Sequence, residues 1–278
     1  MTQRSKFAEK YGPWALVTGA SSGIGAEFVR RLAEEGFNIA LAARRSNLLE
    51  ALAEDVSREF GILTRCVVVD LSEETAVDAL DAQLRDLDVG LVVSNAGTGQ
   101  PGHFLGQDHC EQLVRFRLNA LSHFNIAFAF GERLAQRGGG GLILGGAMGA
   151  AHGIPFSATD AGSKALVQSL GESLHVELKR KRVQVMTLVV PPTQTAIIEK
   201  FGLDPADMPM KPMRVEQCVS EALRHFKQGR SLSLPGALNR FLSGIIPTRI
   251  MRVMMGKMIE QTLAKSDKRE VPAGKLGR

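Results

Sequence analysis

Three glycines, Gly19, Gly23 and Gly25, follow the apolar run 14–18 and open a helical pattern at about 24–35. Gly19 permits a tight turn, Gly23 lets the backbone approach a pyrophosphate, and Gly25 lets the helix pack closely on the strand. Free amides at the start of the helix then face the anion. Because this spacing stands at the first strand–helix junction, it predicts a dinucleotide-binding turn rather than incidental glycines.

Two arginines, Arg44 and Arg45, follow the second apolar run, and Ala43 stands where an NAD site would carry a carboxylate. A ribose 2′-phosphate needs a cation at this point, and the planar fork of Arg44 suits it, with Arg45 assisting. The pattern therefore predicts NADP(H) as the cofactor. The alternative, that both arginines only solvate a strand end, stays open.

The elements that would position these residues alternate between short apolar runs and helical segments. The strands are predicted at 14–18, 38–43, 64–69, 90–94, 141–146, 183–189 and 231–234, and the helices at about 24–35, 47–59, 73–86, 107–136, 157–181 and 215–228. Runs rich in Val, Ile, Leu and Ala are typical of buried parallel strands. The fold class is therefore α/β, a Rossmann-type doubly wound parallel sheet of about seven strands with helices on both faces.

Composition bounds the organisation of the chain. It has 278 residues, of which 44% are hydrophobic and 23% charged, and no linker divides it, so we expect a single domain over 1–278. The net charge of +5 comes with a basic, Met-rich helical extension at 236–278 and no basic and aromatic array, so no nucleic-acid partner is predicted. Three scattered cysteines and the lack of a long apolar N-terminal run favour a cytoplasmic protein with neither signal peptide nor metal site.

Two motifs carry a family resemblance. The segment Thr18-Gly-Ala-Ser-Ser-Gly-Ile-Gly25 resembles the cofactor fingerprint of the short-chain dehydrogenase/reductase family, and Asn95-Ala-Gly97 resembles that family's motif after the fourth strand. The resemblance runs from about residue 12 to residue 235 and implies a homodimer or homotetramer. It also implies a set of cofactor-binding residues: Gly19, Ser21, Ser22, Gly23, Ile24, Gly25, Asp70, Leu71, Asn95, Ala96, Gly97, Lys164 and Thr195.

The same resemblance assigns the reaction centre. The family uses an Asn, a Ser, and a Tyr four residues before a Lys. Asn119 matches the Asn and Lys164 the Lys, but Asp160 stands at the Tyr position and Ala147 at the Ser position. With a reference pKa near 3.9, and the Lys164 ammonium one turn away to lower it, Asp160 should be ionised and unable to donate a proton. Losing a positioned acid typically costs about 10²–10⁴ in rate.

Three interpretations follow. The chain is an atypical NADP(H) oxidoreductase acting on a lipophilic carbonyl or alcohol, in which water or another group, such as His152, Ser157 or Thr159, replaces the Tyr. Alternatively, it is a non-redox enzyme with Asp160 as the general base, or a non-catalytic binder of cofactor or ligand. The oxidoreductase interpretation is slightly favoured because the residues that bind the nicotinamide are retained. A plain ion pair between Asp160 and Lys164, and Ser157 as a helix N-cap, are the simpler alternatives.

The substrate side carries flexible apolar residues. Thr195–Met213 contains Ile197, Ile198, Phe201, Leu203, Met208, Met210 and Met213, which suit either a small lipophilic ligand or ordinary packing. The tail segment Phe241–Leu263 has apolar residues at helical spacing among cations, so we weigh a peripheral membrane contact against packing on a sister subunit or the core, and favour packing.

Overall fold

The sheet dominates the computed structural model, which describes residues 4–149, 153–195, 198 and 211–270, the last six without their side chains. The strands are β1 (Trp14–Thr18), β2 (Asn38–Ala43), β3 (Thr64–Val68), β4 (Val89–Ser94), β5 (Gly140–Ala147), β6 (Val183–Val190) and β7 (Leu232–Ser233). They form one seven-stranded sheet in the order β3-β2-β1-β4-β5-β6-β7, and every neighbouring pair is parallel. This confirms the predicted doubly wound α/β fold.

Helices cover the sheet. They are α1 (Lys6–Tyr11), α2 (Gly23–Glu34), α3 (Ser46–Phe60), α4 (Ala76–Gln83), α5 (His109–Phe116), α6 (Ser122–Gln136), α7 (Ala158–Glu177), α8 (Val215–Lys227), α9 (Ala237–Ile245) and α10 (Thr248–Glu270). Two separate clusters of buried apolar side chains make up the core; Phe28, Phe37 and Phe226 belong to one, and Leu80 and Phe130 to the other.

The long helix predicted at 107–136 is not continuous. A π-helical turn at Arg117–Leu121 joins α5 to α6, and Asn119 lies in that turn, fully buried. Such wider turns interrupt helices most often at functional sites. The residue that the family resemblance assigns to the reaction centre therefore lies in an irregular turn of the helix.

The strand order creates a crevice. Because β1 pairs with β2 on one side and with β4 on the other, the chain reverses its direction of winding between them. Ligands of open α/β sheets bind at the carboxyl ends of the strands at such a switch point. The loops that follow β1, β4, β5 and β6 all start from that edge.

The tail packs only in part on the rest of the protein. In α10, Gly256 is buried, and a Cβ built on it would lie 3.0 Å from Cγ of Pro155, in the segment that precedes α7. Ile259 is buried as well, whereas Phe241 and Ile245 of α9 are more than half exposed. No helix within the described ranges is long and apolar enough to cross a bilayer.

Candidate active site

The glycine turn has the geometry that the sequence predicted. Gly19 and Gly23 adopt the left-handed region, with φ of +66° and +55°, where a side chain would be strained. A Cβ on Gly25 would lie 2.1 Å from the carbonyl oxygen of Gly19, so α2 can follow β1 this closely only with glycine there. Ile24 packs against the core beside this turn. Backbone amides at the start of α2 are thereby left at the crevice.

The arginines lie at the mouth of this turn. Arg45 donates from Nε and Nη2 to Oγ of Ser21, at 3.2 and 2.8 Å, and from Nη2 to Oγ of Ser22 at 2.7 Å. Arg44 is mostly exposed and lies 3.5 Å from Oδ2 of Asp70. The two predicted phosphate ligands and Asp70, another predicted cofactor-binding residue, therefore meet at one rim.

Asp70 is fixed by its own turn. Its Oδ1 accepts hydrogen bonds from N and Oγ of Ser72 at 3.0 and 2.7 Å. Burial raises the pKa of Asp70, but these bonds and the charge of Arg44 outweigh it and hold the pKa below its ordinary value. Leu71 is buried beneath this turn, so its side chain serves the core. An ionised Asp70 leaves Arg44 oriented at the rim but still open to solvent.

The ends of β1 and β4 are joined directly. Oγ1 of Thr18 accepts hydrogen bonds from the amides of Asn95 and Ala96 at 3.0 and 3.2 Å, and Nδ2 of Asn95 donates to the Thr18 carbonyl at 3.4 Å. Gly97 follows at the crevice, where a Cβ would meet Oδ1 of Asn119 at 3.1 Å. The motif at 95–97 thus connects the cofactor turn to the reaction centre.

Asn119 holds the loop after β4 in place. Its Oδ1 accepts from the Thr98 amide at 2.9 Å, and its Nδ2 donates to the Thr98 carbonyl at 2.7 Å. The same Nδ2 lies 3.3 Å from Oδ1 of Asp160. Asn119 therefore bridges the cofactor-side loop and α7.

The Asp160 carboxylate is surrounded by donors. Its Oδ2 accepts from the Gln100 amide at 3.0 Å and from Oγ of Ser157 at 3.2 Å. Its Oδ1 lies 3.9 Å from Nε of Arg115, a nearly buried residue of α5. With the Asn119 bond, Asp160 accepts three hydrogen bonds and faces one cation. The carboxylate acts only as an acceptor here, as an ionised group does.

Two expectations about Asp160 are corrected. Its predicted downward pKa shift is wrong in direction, because burial raises the pKa more than the hydrogen bonds from Gln100 and Ser157 and the charges of Arg115 and Lys164 lower it. The ion pair with Lys164 that their spacing allows is not formed within 4.0 Å in the described structure. The ion pair is missing because each side chain binds a different neighbouring element.

Lys164 points to the sheet. Its Nζ donates to the carbonyl of Gly145 on β5 at 2.8 Å and lies 3.2 Å from Nε2 of His123. Burial lowers the pKa of Lys164 to about 8, with Asp160 opposing that shift. Ala147, which the family resemblance assigned to the Ser position, ends β5 and presents only a methyl group.

Sequence reasoning missed Arg115 and His123. They stand four residues before and after Asn119, so the three share one helix face, and this spacing was the available signal. His123 is fully buried and bonds Oγ of Ser94 through Nδ1 at 2.8 Å. Burial, and then the charge of Lys164, hold the pKa of His123 well below its ordinary value.

Of the remaining predicted residues, one lies at the glycine turn, two bind other side chains, and several lie outside the described residues. Thr195 lies at the glycine turn, where its Cγ2 would be 3.3 Å from a Cβ on Gly23, as a residue near the nicotinamide end should. Ser157 occupies the N-cap position of α7, but its hydroxyl binds Asp160 instead of a backbone amide. Thr159 donates to Gln112. His152 and most of Thr195–Met213, including Ile197, Phe201, Leu203, Met208 and Met210, lie outside the described residues.

Comparisons with known proteins agree with this geometry. A family model described as short chain dehydrogenase matches residues 13–205. A very-long-chain 3-oxoacyl-CoA reductase of Meyerozyma guilliermondii is 32% identical over 218 residues, 74% of this chain and 63% of that protein. A 7beta-hydroxysteroid dehydrogenase of Clostridium sardiniense is 31% identical over 182 residues, 66% of this chain and 70% of that protein.

A solved structure extends the likeness to the tail. The short-chain dehydrogenase from Sphingobium yanoikuyae in complex with NADPH superposes with a TM-score of 0.77 at 25% identity, covering 96% of this chain and 99% of that chain. The matches to the fungal reductases span less than two thirds of those proteins, 56% for that of Laccaria bicolor. The fold is thus shared over nearly the whole chain.

Proposed function

Because the chain belongs to the short-chain dehydrogenase family of oxidoreductases, we propose that it is an NADP(H)-dependent enzyme acting on a lipophilic carbonyl or alcohol. The finer part of this proposal is that it works without the usual Ser and Tyr, which Ala147 and Asp160 replace. One observation carries it: a complete glycine turn with two arginines at its mouth leads directly to Asn119 and Lys164.

The residues present fit the cofactor. Gly19 and Gly23 form a turn before α2 that glycine alone adopts without strain, and the guanidinium groups of Arg44 and Arg45 lie at the rim of this turn, where they suit a 2′-phosphate. The structure of the Sphingobium yanoikuyae relative contains NADPH, which supports the same choice here. When bound, NADP(H) would supply or accept the hydride. The chain itself must orient the substrate, exclude water and manage the proton.

The substrate class rests on relatives and on chain chemistry. The relatives' names refer to very-long-chain oxoacyl thioesters and to a steroid alcohol, which are both lipophilic. In this chain, α10, which carries apolar residues among cations, packs on the segment before α7 through Gly256 and Pro155. Ala147, at the end of β5, adds a methyl group to the same edge of the sheet. These features favour an apolar substrate with one carbonyl or hydroxyl.

Cofactor binding and turnover are tested separately. We expect titration with NADPH, followed by nicotinamide fluorescence, to give tighter binding than titration with NADH. A panel of lipophilic ketones and alcohols is then screened by the near-ultraviolet absorbance of the reduced nicotinamide. Equal affinity for the two cofactors would contradict the assignment of Arg44, and no absorbance change with any substrate would contradict the oxidoreductase proposal.

A non-catalytic role is the second candidate. The observation that favours it is the Asp160 carboxylate, which accepts three hydrogen bonds from donors of the protein itself. It predicts tight NADPH binding with no turnover. The same engagement disfavours Asp160 as a general base, since a base needs a free lone pair facing the substrate. The expected homodimer or homotetramer and the cytoplasmic location stay predictions.

A further inference from the structure

His123 has a second polar neighbour besides Lys164. Its Nε2 lies 3.0 Å from the carbonyl oxygen of Ala96 and 3.2 Å from Nζ of Lys164, while Nδ1 lies 2.8 Å from Oγ of Ser94. A carbonyl only accepts hydrogen bonds, and an ammonium only donates them. One neutral imidazole nitrogen cannot serve both at once.

The two tautomers of His123 therefore match the two proton states of Lys164. With the proton on Nδ1, the imidazole donates to Ser94, and Nε2 accepts from the Lys164 ammonium. With the proton on Nε2, it donates to Ala96, Nδ1 accepts from Ser94, and a neutral Lys164 amine no longer needs an acceptor. Each proton state of Lys164 thus has an arrangement in which the buried ring is fully paired.

Few other charged groups face the Lys164 nitrogen. Asp160 lies on the same helix, and Arg115 of α5 stands beyond that carboxylate. From β5 only the carbonyl of Gly145 reaches it, and from α6 only His123 does, among the described residues. Burial lowers the pKa of Lys164 to about 8 and keeps His123 neutral, its pKa lying well below the ordinary value. Lys164 is consequently a group that can release a proton near neutral pH.

Asp160 has no comparable freedom. Three donors and Arg115 surround its carboxylate, so it holds the loop after β4 against α7. A Cβ on Gly97 would be 3.3 Å from Nζ of Lys164, which places that nitrogen beside the crevice. Lys164 is also only partly buried. Of the two ionisable groups on this face of α7, the lysine is the one that can both reach the crevice and lose a proton.

We propose that Lys164 supplies the proton that the family takes from its tyrosine, and that His123 is the residue that positions Lys164 for this transfer. The inference rests on the proposed carbonyl reduction. The carbonyl carbon takes the hydride that NADPH provides, and the C=O π pair moves onto oxygen. That oxygen takes a proton from the Lys164 ammonium, which becomes an amine and regains a proton from water. Oxidised cofactor and alcohol then leave.

A titration of the cofactor-free protein tests the positioning role. With ¹⁵N-labelled lysine, the Lys164 nitrogen signal, identified by its loss in Lys164→Met, should titrate with a midpoint of about 8. His123→Asn keeps an amide at the Nδ1 place but loses the Nε2 contact, so the midpoint should fall by about one pH unit. His123→Gln restores a polar group at the Nε2 place and should leave the midpoint near that of the wild type. Equal midpoints in both variants would overturn the positioning role.

Kinetics test the donor role. The rate of NADPH oxidation with a lipophilic ketone should fall above a pH of about 8 in the wild type. In His123→Asn this fall should begin at a lower pH, and in His123→Gln it should begin at the wild-type pH. Lys164→Arg keeps the charge but holds its proton too tightly, and should lose about 10²-fold or more in rate. A pH limb that stays in place while the NMR midpoint moves would overturn the donor role and leave the proposed function standing.

The two failures are distinguishable. If NADPH binds but no ketone is reduced, the proposed function falls and the donor role with it, while the NMR midpoints still decide the contact with His123. Thermal unfolding checks that the buried variants fold. If His123→Asn does not, Ser94→Ala removes the partner of Nδ1, favours the Nε2 tautomer and should lower the midpoint in the same direction; an unchanged midpoint there would count against the proposal.

Discussion

The two ends of the crevice differ in what their polar groups bind. At the cofactor end, Arg44 is mostly exposed and remains open to a ligand from solvent. At the reaction end, Asp160 accepts only from groups of the protein itself. The first end is organised to receive an anion, and the second is largely closed on itself. The two ends of one crevice therefore differ in how open their polar groups are to a ligand.

The strongest test of the cofactor end is steric. Gly25→Val would place side-chain atoms against the Gly19 carbonyl, 2.1 Å from where the Cβ must lie. We expect a loss of about 3 kcal/mol in the free energy of unfolding, the upper end for overpacking, and loss of NADPH binding. Urea denaturation and fluorescence titration measure the two effects.

Gly162→Ala is the matched control for that substitution. Gly162 also lies in a helix, but a Cβ there meets nothing within 4 Å. Stability should rise by about 0.5–1 kcal/mol because alanine restricts the unfolded chain. Wild-type NADPH affinity in Gly25→Val would mean that the close approach of α2 to β1 is dispensable.

The reaction end is tested by the pH dependence of stability. Because the pKa of Lys164 is about 8 in the folded protein and 10.5 ordinarily, the unfolded chain binds more protons between these values. Below pH 8 the buried ammonium destabilises the folded state. As the pH rises from 8 to 10.5 this destabilisation is lost, so the free energy of unfolding should increase by about 3 kcal/mol. Lys164→Met should abolish this rise.

Comparing the stability of the wild type with that of Lys164→Met cancels a second, opposing effect of pH. Burial raises the pKa of Cys218 to about 12, so that thiol destabilises the fold as pH climbs above 9 in both proteins. Only the difference between wild type and Lys164→Met isolates the lysine, measured by urea denaturation at a series of pH values. A flat difference would show that Lys164 is hydrated as freely as exposed Lys179, whose Met variant serves as control.

Charge reversal at the rim should have a smaller effect. Arg44→Glu replaces a charge-assisted hydrogen bond to the 2′-phosphate by repulsion, worth about 1.5–3 kcal/mol, or roughly 10–100-fold in NADPH affinity. NADH affinity should change far less. Arg58→Glu, an equal charge change on exposed α3, is the control for long-range electrostatics. Parallel loss of both cofactors would remove Arg44 from the phosphate site.

The smallest expected effect is the coupling between Asp160 and Arg115. Asp160→Asn leaves an amide facing donors, and Arg115→Met removes the cation, so each single variant should be destabilised. A double-mutant cycle should give a coupling of about 1 kcal/mol, because the groups share one network. Additive effects would mean that Arg115 does not balance the carboxylate; Asp78→Asn on exposed α4 is the surface control.

Strands were predicted within one or two residues because buried parallel strands are continuous apolar runs. The α1 helix was missed because six residues carry little periodicity, and its position depends on tertiary contacts. Phe7 and Tyr11 pack on the distant Phe226. The π-helical turn was also missed, because nothing in a local apolar pattern distinguishes it from a continuous helix.

The glycine turn was predictable because its residues are consecutive. The partners of Asp160 were not, since i, i+4 spacing indicated Lys164, whereas the structure pairs Asp160 with the loop after β4 and Lys164 with β5. Spacing along one helix identifies which side chains share a face. It does not tell which neighbouring element each of them prefers.

The close contact between Gly256 of α10 and Pro155 has a practical consequence. It joins two segments far apart in the sequence, and a methyl group at 256 fits only if one of them shifts by a few tenths of an ångström. A bulkier residue at 256 would move α10 away from the segment before α7. A substitution on the tail helix would therefore displace the segment that leads into the reaction end without altering any group that handles a proton.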